Sequence, residues 1–92
     1  MTRPEANPRL RAAFLEVVEN QLRDNDPPET RQTLERLRAE GYSARDAKRL
    51  IAAVASVEIY DILKHQQAFN QARFIAALHK LPEMPRDDAE ET

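Results

Sequence analysis

Residues 43–65, SARDAKRLIAAVASVEIYDILKH, decide the fold of this chain. From Leu50 to Leu63 the apolar residues fall on almost every face of a helical wheel, so other elements must cover this helix on more than one side. Ser43, with Asp46 three residues later, is typical of a capped helix start. In a chain of 92 residues, we expect the cover to come from the neighbouring segments and from a second copy.

A first helix is predicted over residues 8–23. Asn7 and Pro8 are favoured residues at the N-cap and at the first helical position. Leu15 falls outside the apolar stripe of this helix. The stripe consists of Leu10, Ala13, Phe14, Val17, Val18 and Leu22.

The second helix is predicted over residues 27–40. Asp26 is expected to cap it, with Pro27 at the first helical position and Glu29 completing a capping box. Gly41, the only glycine of the chain, follows directly and predicts a left-handed residue at the helix end. The contacts of this helix with the core are predicted to be Thr30, Leu34 and Leu37.

The fourth helix is predicted over residues 71–81. Asn70 is its expected N-cap, and Phe69 is expected to pack on Phe74 as a hydrophobic staple. The helix should end at Leu81, because a residue before proline avoids helical angles. Its apolar stripe consists of Phe74, Ile75, Leu78 and Leu81.

The pattern as a whole is helical, because no stretch alternates with the period of two that a strand needs. Residues 7–81 should form one domain, with disordered ends at residues 1–6 and in the acidic tail, residues 82–92. The sequence therefore predicts an all-α bundle of four helices, over residues 8–23, 27–40, 44–66 and 71–81.

The composition excludes several classes of function. The chain has no cysteine, so it has neither disulfides nor thiolate metal sites. A single glycine cannot build the usual nucleotide-binding loops. The first residues lack a signal-peptide pattern and no apolar run reaches the ~20 residues of a membrane span, so we expect a cytoplasmic protein. The formal net charge is −2, and from Pro82 onward five acidic residues face one basic residue.

Candidate metal ligands lie in the second half of the third helix. Glu58, Asp61 and His65 share one helical face, as bundle metal sites require. Ion pairing explains the same pattern, because Glu58 sits in an apolar segment and needs a partner: Arg23, Arg73 or an arginine of a second copy would serve. Both histidines lie near predicted helix ends, where a cation suits the helix dipole. We expect no cofactor, no bound metal and no enzymatic activity.

Residues 37–51 resemble the helix-turn-helix pattern of bacterial regulators, with a glycine turn and a capping serine between two helices. Arg45, Lys48 and Arg49 would then contact nucleic acid from the start of the second helix. Leu37 stands where that pattern usually has a small residue, and the second helix is too long and apolar for a groove. The same junction is also ordinary punctuation between two helices.

Seven segments occur in a characteristic order: Asn7-Pro8-Arg9-Leu10, Val18-Glu19-Asn20-Gln21-Leu22, Asp26-Pro27-Pro28, Leu34-Glu35-Arg36-Leu37, Glu40-Gly41, Asp46-Ala47 and residues 74–81. In this order and spacing they resemble a bacterial family of small helical proteins of unknown function. The resemblance covers residues 7–81 and implies a helical fold.

That family typically carries two His-x-x-x-His pairs, whose imidazoles share one helical face as a metal site needs. The matching positions here are Arg11 with Leu15 and Arg45 with Arg49. Arginine keeps its charge and does not ligate a cation, so this chain cannot hold a metal in that way. The arginines remain as a cluster that either reaches solvent and nearby acids or binds an anion or an acidic partner.

The apolar surface of the third helix favours a non-enzymatic interaction module that forms a homodimer or binds an unidentified protein. The predicted dimer contacts are Val57, Ile59, Tyr60 and Leu63. Two alternatives stay open. One is a nucleic-acid-binding accessory protein, and the other is a degenerate metal-binding bundle centred on Glu58, Asp61 and His65. The predicted anion or nucleic-acid contacts are Arg11, Arg45, Lys48 and Arg49.

Overall fold

The computed structural model describes residues 8–84, which contain four helices and no strand. The predicted all-α bundle is confirmed, and each helix boundary agrees with the prediction to within one residue. Of the segments predicted to be disordered, residues 1–6 and 85–92 lie outside the described residues, as does the predicted cap Asn7. The helices are α1 (Pro8–Asp24), α2 (Pro28–Ala39), α3 (Ala44–His65) and α4 (Gln71–Lys80).

The helix that the sequence marks as central, α3, contacts each of the other three helices. Within residues 8–84, α1 and α4 do not touch each other, and both α3 and α2 lie against each of them. The core residues of α3 are mostly alanine, with Ile51 and Val54, and further core side chains come from its neighbours. These are Val18 and Leu22 of α1, Leu37 of α2, and Phe74 and Leu78 of α4. None of the helices in this range has the length and hydropathy of a membrane span.

The predicted start of α2 is wrong by one residue. Asp26 does not cap the helix, because the N-cap position is occupied by Pro27, with φ −77° and ψ 152° and no side-chain capping bond. Pro27 is itself followed by a proline, which excludes it from helical angles, so the helix begins at Pro28. The N–H of Thr30 donates to the Pro27 carbonyl at 3.1 Å and closes the first turn.

The predicted starts of α3 and α4 are confirmed. The Ser43 hydroxyl oxygen accepts the N–H of Asp46 at 3.0 Å, and the Asn70 side chain accepts the N–H of Arg73 at 2.9 Å. Phe69 packs on Phe74 with ring centroids 5.8 Å apart, which is the predicted hydrophobic staple. These local contacts fix where the chain enters both helices.

Residues with positive φ end three of the helices: Asn25 (52°), Gly41 (108°) and Gln66 (53°). In each case the next N–H returns to a carbonyl five residues earlier, which satisfies an otherwise unpaired group at the helix end. Only Gly41 was predicted, because glycine alone announces such a residue in sequence. The three bonds are Asp26 to Gln21 at 3.0 Å, Tyr42 to Leu37 at 3.1 Å and Gln67 to Ile62 at 3.3 Å.

Arginines of the polar helix α2 bind the carboxyl ends of two other helices. Arg31 donates to the Leu22 carbonyl of α1 at 2.7 Å. Arg36 donates to the carbonyls of Leu78 and Leu81, at 3.0 Å and 2.8 Å, where α4 ends. Few apolar residues are therefore needed to hold α2 in the bundle. Two of its threonines are also buried, Thr30 as predicted and Thr33 in addition.

Candidate functional site

A groove runs between α1 and α3, which pack antiparallel. Lys48, near the start of α3, donates to Glu19 in the second half of α1 at 2.9 Å. Arg11, near the start of α1, lines the same groove as Ser56, three turns along α3. The start of each helix therefore lies beside a later part of the other.

The groove has two adjoining parts, which share Leu15 and Arg49, and we refer to both together as the α1–α3 groove. All four arginine and lysine residues predicted as anion contacts line it. The first part is a cavity of about 250 Å³ lined by Arg11, Phe14, Leu15, Arg49, Ala52, Ala53 and Ser56. The second part has a volume of about 400 Å³ and is lined by Leu15, Glu19, Arg45, Lys48 and Arg49.

The cations of the groove differ in what they bind. Lys48 is paired with Glu19. Arg45 and Arg49 are exposed and make no ion pair or hydrogen bond with any residue of the range 8–84. The nearby acids that the sequence suggests as partners of the arginines, Glu16, Glu40 and Asp46, do not pair with Arg45 or Arg49, and Glu40 instead pairs with Arg36 at 3.0 Å. Two guanidinium groups are therefore available at the rim.

The apolar periodicity of α1 gives a wrong prediction for Leu15, a residue of this groove. It lies outside the predicted stripe of α1, yet it is half-buried, packs against the core and lines both parts of the groove. Leu10 and Ala13, which were predicted to face the core, are exposed. Within residues 8–84, α1 meets α2 and α3 but not α4, and its side facing α3 includes Leu15.

Of the three candidate metal ligands, Glu58 and Asp61 bind an arginine, and His65 lies beside Asp61. Glu58 is only 5% exposed, and Arg73 Nε donates to its two carboxylate oxygens at 2.9 and 3.2 Å. Arg73 Nη2 binds Asp61, whose second oxygen lies 3.4 Å from His65 Nε2. Its hydrogen bonds to Glu58 and then to Asp61 raise the pKa of Arg73, which favours the charged guanidinium. Among residues 8–84, no three histidine or acidic side chains are arranged to hold a metal ion.

Apolar side chains are exposed on the last turns of α3. Val57, Tyr60 and Leu63 are 42%, 54% and 75% exposed, and we call these three residues the apolar patch. They follow one another at a spacing of three, so they are neighbours on the helix surface. Ile59, the fourth predicted dimer contact, is half-buried.

The candidate helix-turn-helix segment forms α2, the turn at Gly41 and the start of α3. Here α3 contacts each of the other three helices, whereas a recognition helix presents one long face to the groove of DNA. The exposed part of its first turns carries Arg45 and Arg49. Binding of nucleic acid through these residues stays a prediction.

The chain matches no family model, no curated protein and no solved structure. The resemblance to the bacterial helical family therefore stays a prediction as well. What the protein does has to be inferred from the geometry of the groove and of the apolar patch.

Proposed function

We propose that this protein is a helical interaction module that self-associates through the apolar patch of α3. The observation that carries the proposal is the exposure of Val57, Tyr60 and Leu63 as neighbours on one helix. Contact between two such patches would remove this apolar surface from water, which is the main driving force of protein association.

The position of the patch favours a second copy of the chain as the partner. The core of one subunit already contains the other side of α3, and Glu58 and Asp61 are held by Arg73 of α4. The three residues of the apolar patch that remain for a partner are uncharged. Two α3 helices that cross at this patch would form a symmetric contact, the commonest arrangement in small oligomers.

Tyr60 is expected to contribute most to this contact. Tyrosine combines a large apolar ring with a hydroxyl that stays hydrogen-bonded at the rim, and it is enriched among the residues that dominate interface energies. Leu63 is the more exposed of the two, and its burial alone would contribute about 1.5–3 kcal/mol.

Sedimentation velocity over a range of micromolar concentrations tests the proposal. The wild-type protein should sediment as a dimer, and Tyr60→Glu combined with Leu63→Glu should return it to a monomer. Met84→Glu is the matched control, because it also replaces an exposed apolar residue, which lies after α4 and outside the apolar patch. A wild-type protein that stays monomeric at the highest concentration, or a control that dissociates equally, would contradict the proposal.

A further inference from the structure

The α1–α3 groove carries chemistry that self-association through the apolar patch does not use. Arg45 and Arg49 are four residues apart on α3, so their side chains leave the same side of the helix. Neither has a partner within residues 8–84. Arg11 borders the other wall of the groove, from α1. The rim is therefore a place where positive charge faces an open depression.

The floor of this depression is apolar. It is formed by Phe14 and Leu15 of α1 and by Ala52 and Ala53 of α3. The hydroxyl of Ser56 donates to the Ala53 carbonyl at 2.7 Å, so its proton is already used. An inorganic ion at the rim would leave this floor facing water, whereas a ligand with an apolar body would cover it.

We propose that the α1–α3 groove binds a small amphipathic anion, namely a carboxylate attached to a compact apolar chain or ring. The guanidinium groups of Arg45 and Arg49 suit a carboxylate, because their paired N–H groups match its two oxygens. The apolar body would lie on Phe14 and Ala53. The cavity of about 250 Å³ has room for it, since a cavity of about 150 Å³ already holds benzene.

The same geometry disfavours a nucleic-acid strand as the occupant. A phosphate backbone needs cations spread along its length and makes no use of an apolar floor. In this groove Lys48 is neutralised by Glu19, which places an acidic group among the lining residues.

Titration of the ¹⁵N-labelled full chain with sodium octanoate, followed by NMR, tests the inference. Amide signals of Leu15, Arg49 and Ala53 should shift and saturate. Octanamide has the same alkyl chain as octanoate but no charge, and acetate has the carboxylate without the long alkyl chain. Each should bind about tenfold more weakly or worse, since loss of a charge-assisted hydrogen bond or of apolar contact has at least that effect.

Three variants separate the contributions. Arg45→Gln with Arg49→Gln should weaken octanoate binding about tenfold or more. Arg38→Gln with Lys64→Gln is the control, because it removes two exposed cations elsewhere and should leave octanoate binding unchanged. Ala53→Leu should fill the floor and abolish binding while both arginines remain. Preserved amide shifts outside the groove show that each variant is folded.

The two proposals fail separately. Leu63→Glu, which should disrupt self-association, should leave octanoate binding intact. The inference is overturned if octanamide or inorganic phosphate binds as tightly as octanoate. It is also overturned if a short DNA duplex shifts the amide signals of Arg45 and Arg49 in a salt-dependent way while octanoate leaves these signals unchanged.

Discussion

At the scale of single residues, the ion pair between Arg73 and Glu58 shows how an acid is accommodated in an apolar helix. The Glu58 side chain is 6% exposed, whereas that of Arg73 is 45% exposed. The charge that is out of water is therefore the carboxylate, and the arginine reaches it from the surface. Removing the arginine would leave a buried charge without a partner, which costs more than the pair itself contributes.

We expect Arg73→Ala to lower the free energy of unfolding by about 2 kcal/mol, because Glu58 loses both hydrogen bonds. Urea unfolding followed by circular dichroism measures this change. Arg38→Ala, an exposed arginine on α2, should cost less than about 0.5 kcal/mol and serves as the control. In a Glu58→Gln background the loss from Arg73→Ala should be smaller. Equal losses in both backgrounds would mean that the pair does not stabilise the fold.

At Gly41, the cost of a positive φ can be measured separately from side-chain contacts. Its φ is +108°, and a Cβ built there meets no atom within 4 Å. Gly41→Ala should therefore cost about 1–2 kcal/mol through backbone strain only, since L-residues disfavour positive φ. A chemically synthesised chain with D-alanine at this position should keep or exceed the wild-type stability. If both alanines destabilise equally, sterics rather than backbone conformation would be responsible.

At the scale of helices, α2 stabilises the bundle with hydrogen-bond donors as well as with the apolar contacts of Leu34 and Leu37. The last carbonyls of a helix have no partner within that helix. Arg36 supplies donors for Leu78 in the last turn of α4 and for Leu81 directly after it, and Arg31 supplies one at the end of α1. The mostly polar helix α2 is therefore also attached to the bundle by hydrogen bonds to the ends of α1 and α4.

Arg36→Met should lower stability by about 1–2 kcal/mol, because it leaves the Leu78 and Leu81 carbonyls without these donors. Arg31→Met removes one bond and should cost less, and Arg38→Met should be nearly neutral. Amide hydrogen exchange distinguishes the mechanism, because Arg36→Met should speed exchange in α4 before it does so in α1. Uniform acceleration across the chain would instead indicate a general loss of stability.

At the scale of the whole molecule, α3 joins two helices that do not touch each other in the described chain, α1 and α4. Each covers a different part of α3, and the last turns of α3 keep the apolar patch exposed. A domain of this size has a narrow margin of stability, which association would widen.

If association through the patch stabilises the fold, the midpoint of thermal unfolding should rise with protein concentration, because mass action favours the dimer. Tyr60→Glu with Leu63→Glu should make that midpoint independent of concentration. Calorimetry at several concentrations measures both. A wild-type midpoint that does not change with concentration would mean that self-association does not stabilise the fold.

The sequence by itself determined the number of helices and most of their ends. These features depend on residues within one turn of each other: Ser43 and Asn70 as caps, Phe69 against Phe74, and Gly41 at the end of α2. The start of α2 was missed because two prolines compete for the same position, and the second one decides. Asn25 and Gln66 were missed because neither residue type requires a positive φ.

Only the tertiary structure decided which helix faces each side chain. Periodicity places Leu15, Arg45 and Arg49 on helix faces, but it does not say that α1 and α3 bring them to one groove. In the same way it marks Glu58 as needing a cation without choosing Arg73 among the candidates. The physical reason is that local propensities act within a turn, whereas these contacts join residues far apart in the chain and depend on how the helices pack.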